Sequence, residues 1–596
     1  MIDVVRRSSP WQARLVLTGA ALAICLSAFE VRTPAFSLGP VSFTISELAV
    51  LFFFFTVAVY ALAEPGWFFS RRVLDLAVLL FIVSNFISIP AAGDRGSAFK
   101  FALRMTFAAL VYVGVSRLPA RVSSHLLVAG AVSVTIIVVT IIGCLENLFP
   151  LGSLPKLLSP WQEGTFSFGP FYNVRISSTL PFPTVLSMYL ELALPIFLTL
   201  GLWLTARAGI SPRRRLWFSA ALITGLAAMT TVQILTYTRT ALVAMPVAML
   251  VAALLAGIYR YGKRVAVYFI LVVIMLGLVL ASTALFGNVM SARLGIDEPV
   301  RLYTADYTLI SMPVEMGQNQ EYSARVRITN TSDGTWEKSG DNYVAYSYRW
   351  LNYPEKERQD FHYQITNLPK DIVPGETVEM DVTFFTPDIP GRYILIIEPF
   401  RSHVGMFSGA NTTPLVFPLE LVDGVVRKFP IPETAADFVE APVVLPTPDR
   451  GVLWRAAWRI WKEHPVLGVG PGQFRKVYSN YSENITPDEH LETHNIFLEA
   501  LANTGVVGLA AMLFLLASAI WYQFRLVRSR SLNDSMRLLS LGLLAALVAY
   551  VTHGFLDFFL WQNGVTFLFF TLLGLTAWLV RKERDGERGK QDLSIR

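Results

Sequence analysis

Long apolar runs separated by short polar turns make up most of this chain, and one extended polar stretch interrupts them. A helix that crosses a membrane needs about 20 apolar residues, and the pattern predicts about twelve such spans. The predicted spans lie near residues 15–31, 41–63, 73–91, 97–116, 122–148, 182–206, 216–237, 240–258, 265–287, 497–523, 535–557 and 562–580. The fold class predicted from this pattern is a polytopic α-helical membrane protein.

The polar stretch between the ninth and tenth spans has a different periodicity. Polar and apolar residues alternate in 321–330, 344–350 and 377–384, and turns rich in Gly and Pro separate these runs. A period of two is typical of half-buried strands, and short strands at this spacing favour a sandwich. Residues 300–425 are therefore predicted to be an all-β insertion that resembles immunoglobulin-like modules.

The boundaries predict five segments. Residues 1–290 hold spans 1–9, 300–425 the β-sandwich, 426–496 a Pro-rich linker with an amphipathic helix and a loop, 497–582 spans 10–12, and 583–596 a tail. The amphipathic helix is predicted from Arg450 to His464, because its tryptophans and aliphatic residues fall on roughly one side.

Charge decides the predicted orientation. The chain has 596 residues, 53% of them apolar, and a net charge of +6. Arginine and lysine concentrate in alternate loops, which the positive-inside rule assigns to the cytoplasm together with both termini. The loops 149–181, 236–240 and 288–496 are then extracytoplasmic. The positive charge is explained by these loops and does not indicate nucleic-acid binding, and two cysteines, Cys25 and Cys144, exclude a disulfide framework.

His494 is the first candidate for chemistry, because it lies where the polar insertion meets a predicted span. An imidazole can exchange a proton near neutral pH, so this position favours general-base chemistry at a membrane surface. The alternative is an interfacial histidine that caps the next helix. Asp488, Glu489 and His490 could join His494 around a cation, but their spacing matches no strong metal-binding signature.

Arginines in the extracytoplasmic segments are candidates for binding an anion. Arg239 lies in a turn between two apolar runs, beside the hydroxyl groups of Tyr237 and Thr238. Its guanidinium matches phosphate oxygens, although an arginine reaching lipid headgroups is the plain alternative. Arg450 and Arg455 open the amphipathic helix, and Arg175 lies in the 149–181 loop; each could instead be a solvated surface charge.

Three of these segments together resemble the O-antigen ligase and O-antigen polymerase superfamily. They are His494-Asn495 followed by Gly505-x-x-Gly508, the Thr238-Arg239 turn, and Arg450-x-x-x-Trp454 followed by 465–470. The resemblance covers roughly 15–290 and 450–580, whereas the β insertion departs from typical members. It implies a GT-C-like, metal-independent glycosyltransferase without a cofactor. It also implies a glycan donor on undecaprenyl diphosphate, used at the outer face of the inner membrane.

The resemblance also implies roles for individual residues. His494, Arg239 and Arg450 would be catalytic, and the substrate-binding residues would be Arg455, Arg175, Tyr237, Thr238 and Asn495. The acceptor, a glycan, lipid or protein, stays open, and so does the choice between ligase and polymerase. A polysaccharide transporter is the alternative from another class, and a surface-binding scaffold is a third. Against a transporter, no inverted repeat is visible and intramembrane acidic residues are few.

Overall fold

A computed structural model describes most of the chain. The described residues are 10–29, 36–38, 41–63, 73–119, 123–148, 176–207, 209–286, 304–332, 335–339, 343–356, 358–359, 364–401, 405–410, 412–438, 450–481 and 492–594. They fall into two compact units, one built from helices and the other from the strands between 304 and 438.

The helical unit contains long helices and a few short elements. The helices are α1 (Pro10–Ser27), α2 (Ile45–Ala63), α3 (Val73–Ile87), α4 (Arg95–Ser116), α5 (Ser124–Leu148), α6 (Pro183–Ala206), α7 (Pro212–Leu235), α8 (Ala241–Ile258), α9 (Lys263–Phe286), α10 (Arg450–Glu463), α11 (Phe474–Val477), α12 (Ile496–Arg528), α13 (Asp534–Gly554) and α14 (Asn563–Ser594). A short hairpin of β1 (Phe36–Leu38) and β2 (Val41–Phe43) joins α1 to α2.

Ten of the described helices are long and apolar enough to cross a membrane, and two shorter apolar stretches, Trp11–Ser27 and Val265–Ala281, accompany them. The prediction of a polytopic helical membrane protein with a β insertion is confirmed. The sequence predicted about twelve spans. The two helices that are not among the ten are α1 and α9, whose apolar stretches within the described residues are shorter than those of the other helices. The apolar part of α14 is entirely buried, so this helix lies inside the bundle.

Contacts between turns define two ends of the helical unit. We call the end that carries His494 the site end. There, Thr179 donates to the Ala28 carbonyl (2.7 Å), Asp94 N–H donates to Gln473 (3.2 Å), and His494 meets Asp557. At the opposite end, His125 contacts Ser535 (2.8 Å), Tyr261 donates to the Val527 carbonyl (2.8 Å), and Arg525 pairs with Glu583 (2.9 Å).

The β-rich unit consists of two antiparallel sheets. Its strands are β3 (Ala305–Ser311), β4 (Met316–Gly317), β5 (Glu321–Asn330), β6 (Val344–Asn352), β7 (Arg358–Gln359), β8 (Ile365–Asn367), β9 (Thr377–Phe385), β10 (Gly391–Arg401), β11 (Gly405–Met406), β12 (Leu415–Val422) and β13 (Val425–Lys428). One sheet has the order β3-β5-β9 and the other β4-β13-β12-β10-β6-β7, with β11 beside β10 and β8 beside β6. Apolar residues from both sheets, including Ile328, Phe384, Trp350 and Leu395, share one core. The immunoglobulin-like resemblance itself stays a prediction.

This unit continues beyond residue 425, into the segment predicted as a linker. Strand β13 pairs with β12, and Phe429 and Phe438 pack on Ile394 and Ile396, which face away from the central core. Two prolines, Pro430 and Pro432, mask the periodicity of residues 426–438 in the sequence, and contact with the completed sheet orders this segment.

Helix α12 is broken near its start, and the break shapes the site end. Gly505 has φ +62° and ψ −162°, values that are not helical. Carbonyl groups before the break accept hydrogen bonds from the loop that precedes α12. Val469 N–H donates to the Ala502 carbonyl (3.0 Å), and Gly470 N–H donates to the Asn503 carbonyl (2.8 Å). The glycine-rich turn at 468–472 therefore uses two of its N–H groups to dock on α12, which fits a tight structural turn.

We expect Gly505→Ala to destabilise the fold. A Cβ at Gly505 would stand 2.2 Å from the Val466 carbonyl oxygen, and its positive φ disfavours any L side chain. Backbone strain alone costs on the order of 1–3 kcal/mol. The measurement is thermal unfolding of the purified protein, with Gly277→Ala in α9 as the control, because nothing lies within 4 Å of a Cβ there. Equal unfolding temperatures for the two variants would contradict this account of the break.

Candidate functional site

His494 is paired with a carboxylate at the site end. Its Nδ1 lies 2.9 Å from Oδ1 of Asp557, in the loop between α13 and α14. The His494 side chain is 30% exposed and that of Asp557 10%, so the imidazole reaches the surface while its partner is mostly enclosed. An ionised carboxylate can only accept, so in the neutral imidazole Nδ1 carries the hydrogen and Nε2 keeps a lone pair. This arrangement can take a proton from a hydroxyl group.

The Asp557 carboxylate is held in its charged form. Burial by itself would raise its pKa, but the neighbouring His494 and His553 imidazoles outweigh burial and place the pKa below the usual value of 3.8. Its contribution to the pair is therefore present at neutral and mildly acidic pH, and it is lost only as the pH falls through that lowered pKa.

The backbone aims His494 by an unusual local conformation. His494 has φ +51°, a left-handed value that is uncommon for a residue other than glycine and costs energy. The next residue, Asn495, caps α12 by accepting from the N–H groups of Phe497 (2.9 Å) and Leu498 (3.0 Å), and its Nδ2 donates to the Phe555 carbonyl (3.0 Å). The cap is thus Asn495 rather than His494, which leaves the imidazole available. Substrate binding by Asn495 stays a prediction.

Helix α10 is attached to the His494 turn. Leu453, Ala456, Ala457 and Ile460 form its buried stripe, and the Trp454 indole N–H donates to the Thr493 carbonyl (3.0 Å). Arg450 begins this helix and is half-buried, whereas Arg455 is exposed. Arg450 is among the charged groups that act on the His553 imidazole in α13.

Arg239 lies in the turn between α7 and α8. Its side chain is exposed and, among the residues that the structure describes, has no hydrogen bond or ion pair. Tyr237 and Thr238 are buried beneath it, Tyr237 with φ +48°. Burial raises the pKa of Tyr237, so its hydroxyl stays protonated. The turn therefore presents a guanidinium that is available for an anion.

The remaining predicted contact, Arg175, falls outside the described residues, as do Asp488, Glu489 and His490. The residue after Arg175 is described: Ile176 N–H donates to the Leu235 carbonyl (3.4 Å) at the end of α7. This contact brings the end of the 149–181 loop beside the Arg239 turn.

Several site-end residues were not predicted from the sequence. Asp557 is the most important, and no spacing rule connects it to a histidine 63 positions away. Glu499 accepts from the backbone N–H of Thr493 (2.9 Å) and from the side-chain amide of Asn503 (2.6 Å). These hydrogen bonds hold the residue before His494 in place. Arg475 lies 3.7 Å over the ring of Trp561, four residues after Asp557. Burial, reinforced by the charges of Glu499 and Asp557, raises the pKa of Glu492 well above its usual value.

Comparison with known proteins gives one family match, and it covers a segment at the site end. Residues 447–513 match the family model described as O-antigen ligase. The matched segment contains Arg450, Arg455, His494 and Asn495, whereas Arg239 lies outside it. The resemblance to the O-antigen ligase superfamily is thereby confirmed. Glycan transfer of the ligase or polymerase type, at a membrane, is the activity that this family indicates.

The other comparisons give no relative from which a function can be inferred. No curated protein matches this chain. A solved structure, the Pseudomonas fluorescens alkylpurine DNA glycosylase AlkC bound to DNA containing an abasic site analog, aligns with 59% of this chain and 99% of its own. The identity is 10% and the TM-score 0.13, too low to indicate a shared fold.

Proposed function

We propose that this chain, a member of the O-antigen ligase superfamily by its 447–513 segment, transfers a glycan from undecaprenyl diphosphate to an acceptor hydroxyl. The observation that carries the proposal is the pairing of His494, which lies in the segment that matches the O-antigen ligase family, with Asp557, which lies after that segment. A carboxylate–imidazole pair at one end of the membrane-spanning helices suits proton removal from a sugar hydroxyl.

In the proposed step, the acceptor oxygen attacks the anomeric carbon and gives its proton to Nε2 of His494. The bond between the anomeric carbon and the phosphate oxygen breaks, and undecaprenyl diphosphate leaves with the electron pair. Negative charge grows on the leaving oxygen, so cations placed beside it lower the barrier. Arg239 and Arg450 supply that charge, in place of a metal ion. Tyr237, Thr238 and Arg455 are proposed to assist in binding.

The proposed location is the inner membrane, with the site end outside the cytoplasm. The opposite end carries most of the arginines found at or near the ends of the spans, including Arg117, Arg260 and Arg525, and the positive-inside rule favours the cytoplasm for such an end. The acceptor can be a lipid, as for a ligase, or a growing glycan, as for a polymerase.

Binding of the donor distinguishes Arg450 from Arg455, two of the three arginines of α10. We expect Arg450→Ala to weaken binding of the undecaprenyl-diphosphate-linked donor by about tenfold or more, because removing a charge-assisted hydrogen bond costs roughly 1.5–3 kcal/mol. Arg455→Ala is the comparison: it removes an exposed charge five residues further along the same helix, and a smaller loss of binding is expected there. Binding is measured with purified protein in lipid nanodiscs. A larger loss in Arg455→Ala than in Arg450→Ala would show that the wrong arginine is assigned.

The proposed activity is tested by reconstitution. Purified protein, a lipid-linked glycan and candidate acceptors should give transferred glycan and released lipid diphosphate. Elongated lipid-linked chains as product indicate a polymerase, and transfer of the intact chain to a different lipid indicates a ligase. Unchanged donor under all conditions, with correctly folded protein, would contradict the proposal.

A further inference from the structure

A fully buried histidine–glutamate pair lies inside the helical unit, below the site end. Nδ1 of His553, on α13, is 2.9 Å from Oε2 and 3.0 Å from Oε1 of Glu191, on α6. Both side chains are 0% exposed. Ionisable groups inside membrane spans are costly, and where they persist they usually serve function.

One side of this pair leads to the Arg239 turn. Nε2 of Gln233, on α7, donates to Glu191 Oε1 (3.1 Å) and to the Ser187 hydroxyl (2.9 Å). The backbone carbonyl of Gln233 accepts from the Thr236 hydroxyl (2.7 Å), whose oxygen lies 3.0 Å from the Thr238 hydroxyl oxygen. Glu191 thus holds the last turn of α7 in place through Gln233. This turn ends at Thr236, three residues before Arg239.

The other side leads to His494. His553 lies one turn before Asp557 on the same stretch of chain, and its carbonyl accepts from Leu556 N–H (2.9 Å). The Phe559 ring stands edge-on to the imidazole at 5.0 Å between centroids. The charges of both Asp557 and Arg450 act on His553. The loop that holds the partner of His494 therefore starts from this buried pair.

The second ring nitrogen of His553 takes no part in the contact with Glu191. Nε2 of His553 is buried and has no hydrogen-bond partner in the described part of the chain. A buried polar atom left without a partner costs roughly 1–3 kcal/mol. Replacing a buried ion pair by apolar residues is often neutral or stabilising, so stability alone does not explain its presence.

We infer that Glu191 and His553 are positioning residues for the transfer reaction: they join the Arg239 turn and the His494–Asp557 pair through one buried network. This inference rests on the proposed function. The network sets the distance between the bound diphosphate and the base, and small errors in such a distance are expensive in the transition state. The two residues act through Arg239 and Asp557 rather than by touching the substrate.

The test compares turnover with stability. Glu191→Gln and His553→Gln should each lower kcat for glycan transfer about tenfold or more, while the donor KM changes less than about threefold, because Arg239 and Arg450 remain present. Asp75→Asn is the matched control: Asp75 accepts from Tyr112 (2.6 Å) and pairs with Arg117 (3.4 Å) at the opposite end. That variant should lose thermal stability and keep wild-type kcat per folded molecule.

A second variant covers the case in which the charged residues cannot be replaced without unfolding. Gln233→Met keeps the ion pair and the side-chain volume but removes the link from Glu191 to α7, and it should also lower kcat. Normal kcat in Gln233→Met, or variants of the pair that behave like Asp75→Asn, would overturn the inference. The proposed function fails separately: it falls if the wild type transfers no glycan or if His494→Ala is as active as the wild type.

Discussion

His494→Ala is expected to lower kcat for glycan transfer by roughly 10²–10⁴-fold, the usual contribution of a positioned acid–base group. The reason is geometric: the pairing with Asp557 leaves Nε2 as the basic nitrogen, and the imidazole is held at the surface by a left-handed backbone. Donor binding should change little, because the guanidinium groups that are proposed to hold the diphosphate remain. The measurement is steady-state transfer by purified protein with a lipid-linked donor.

Asp557→Asn tests the same pair from its other member. An amide at this position can offer its N–H to Nδ1, which would favour the wrong tautomer and remove the lone pair from Nε2. We expect a loss of kcat that approaches the loss in His494→Ala. His464→Ala is the control, because His464 is an exposed histidine just after α10. If Asp557→Asn were as active as the His464 variant, the pair would have no part in catalysis.

Arg239→Ala is expected to cost on the order of 3 kcal/mol of transition-state stabilisation, about 10²-fold in kcat. The guanidinium is exposed, free of partners among the described residues, and mounted on a turn whose hydroxyls are tied to the buried network. Arg239→Lys should recover only part of the loss, because an ammonium cannot bind phosphate oxygens as a two-pronged donor.

The control for Arg239 is Arg260→Ala. Arg260 also lies in a short turn between two spans, after α8, but that turn belongs to the opposite end of the helical unit. Transfer by Arg260→Ala should match the wild type. Equal activity of the Arg239 and Arg260 variants would remove Arg239 from the mechanism.

The helical part of the fold could be predicted from the sequence because membrane spans are long and apolar, and most of their limits agree with the structure within a few residues. The β insertion was visible through its alternating residues, whereas its last strand and the Phe429 and Phe438 contacts were hidden by prolines. Such segments become ordered by tertiary contact, which local patterns do not encode.

The candidate site was predictable only in part. His494, Arg450 and Arg239 stood out as titratable or cationic residues at the edges of apolar runs, and the family match covers the first two. Asp557, Glu191 and His553 lie within or just after apolar runs, where a single polar residue carries no partner information. Pairing between distant helices depends on how the bundle is assembled, so their roles emerge only from the three-dimensional contacts.

The most direct test of the central claim measures both products of one reaction. Purified protein supplied with an undecaprenyl-diphosphate-linked glycan and an acceptor should release one undecaprenyl diphosphate for each glycan transferred. Release should fall at least 10²-fold in His494→Ala and in Arg239→Ala. Transfer that continues at the wild-type rate in both variants, or that yields a lipid product other than the diphosphate, would contradict the account.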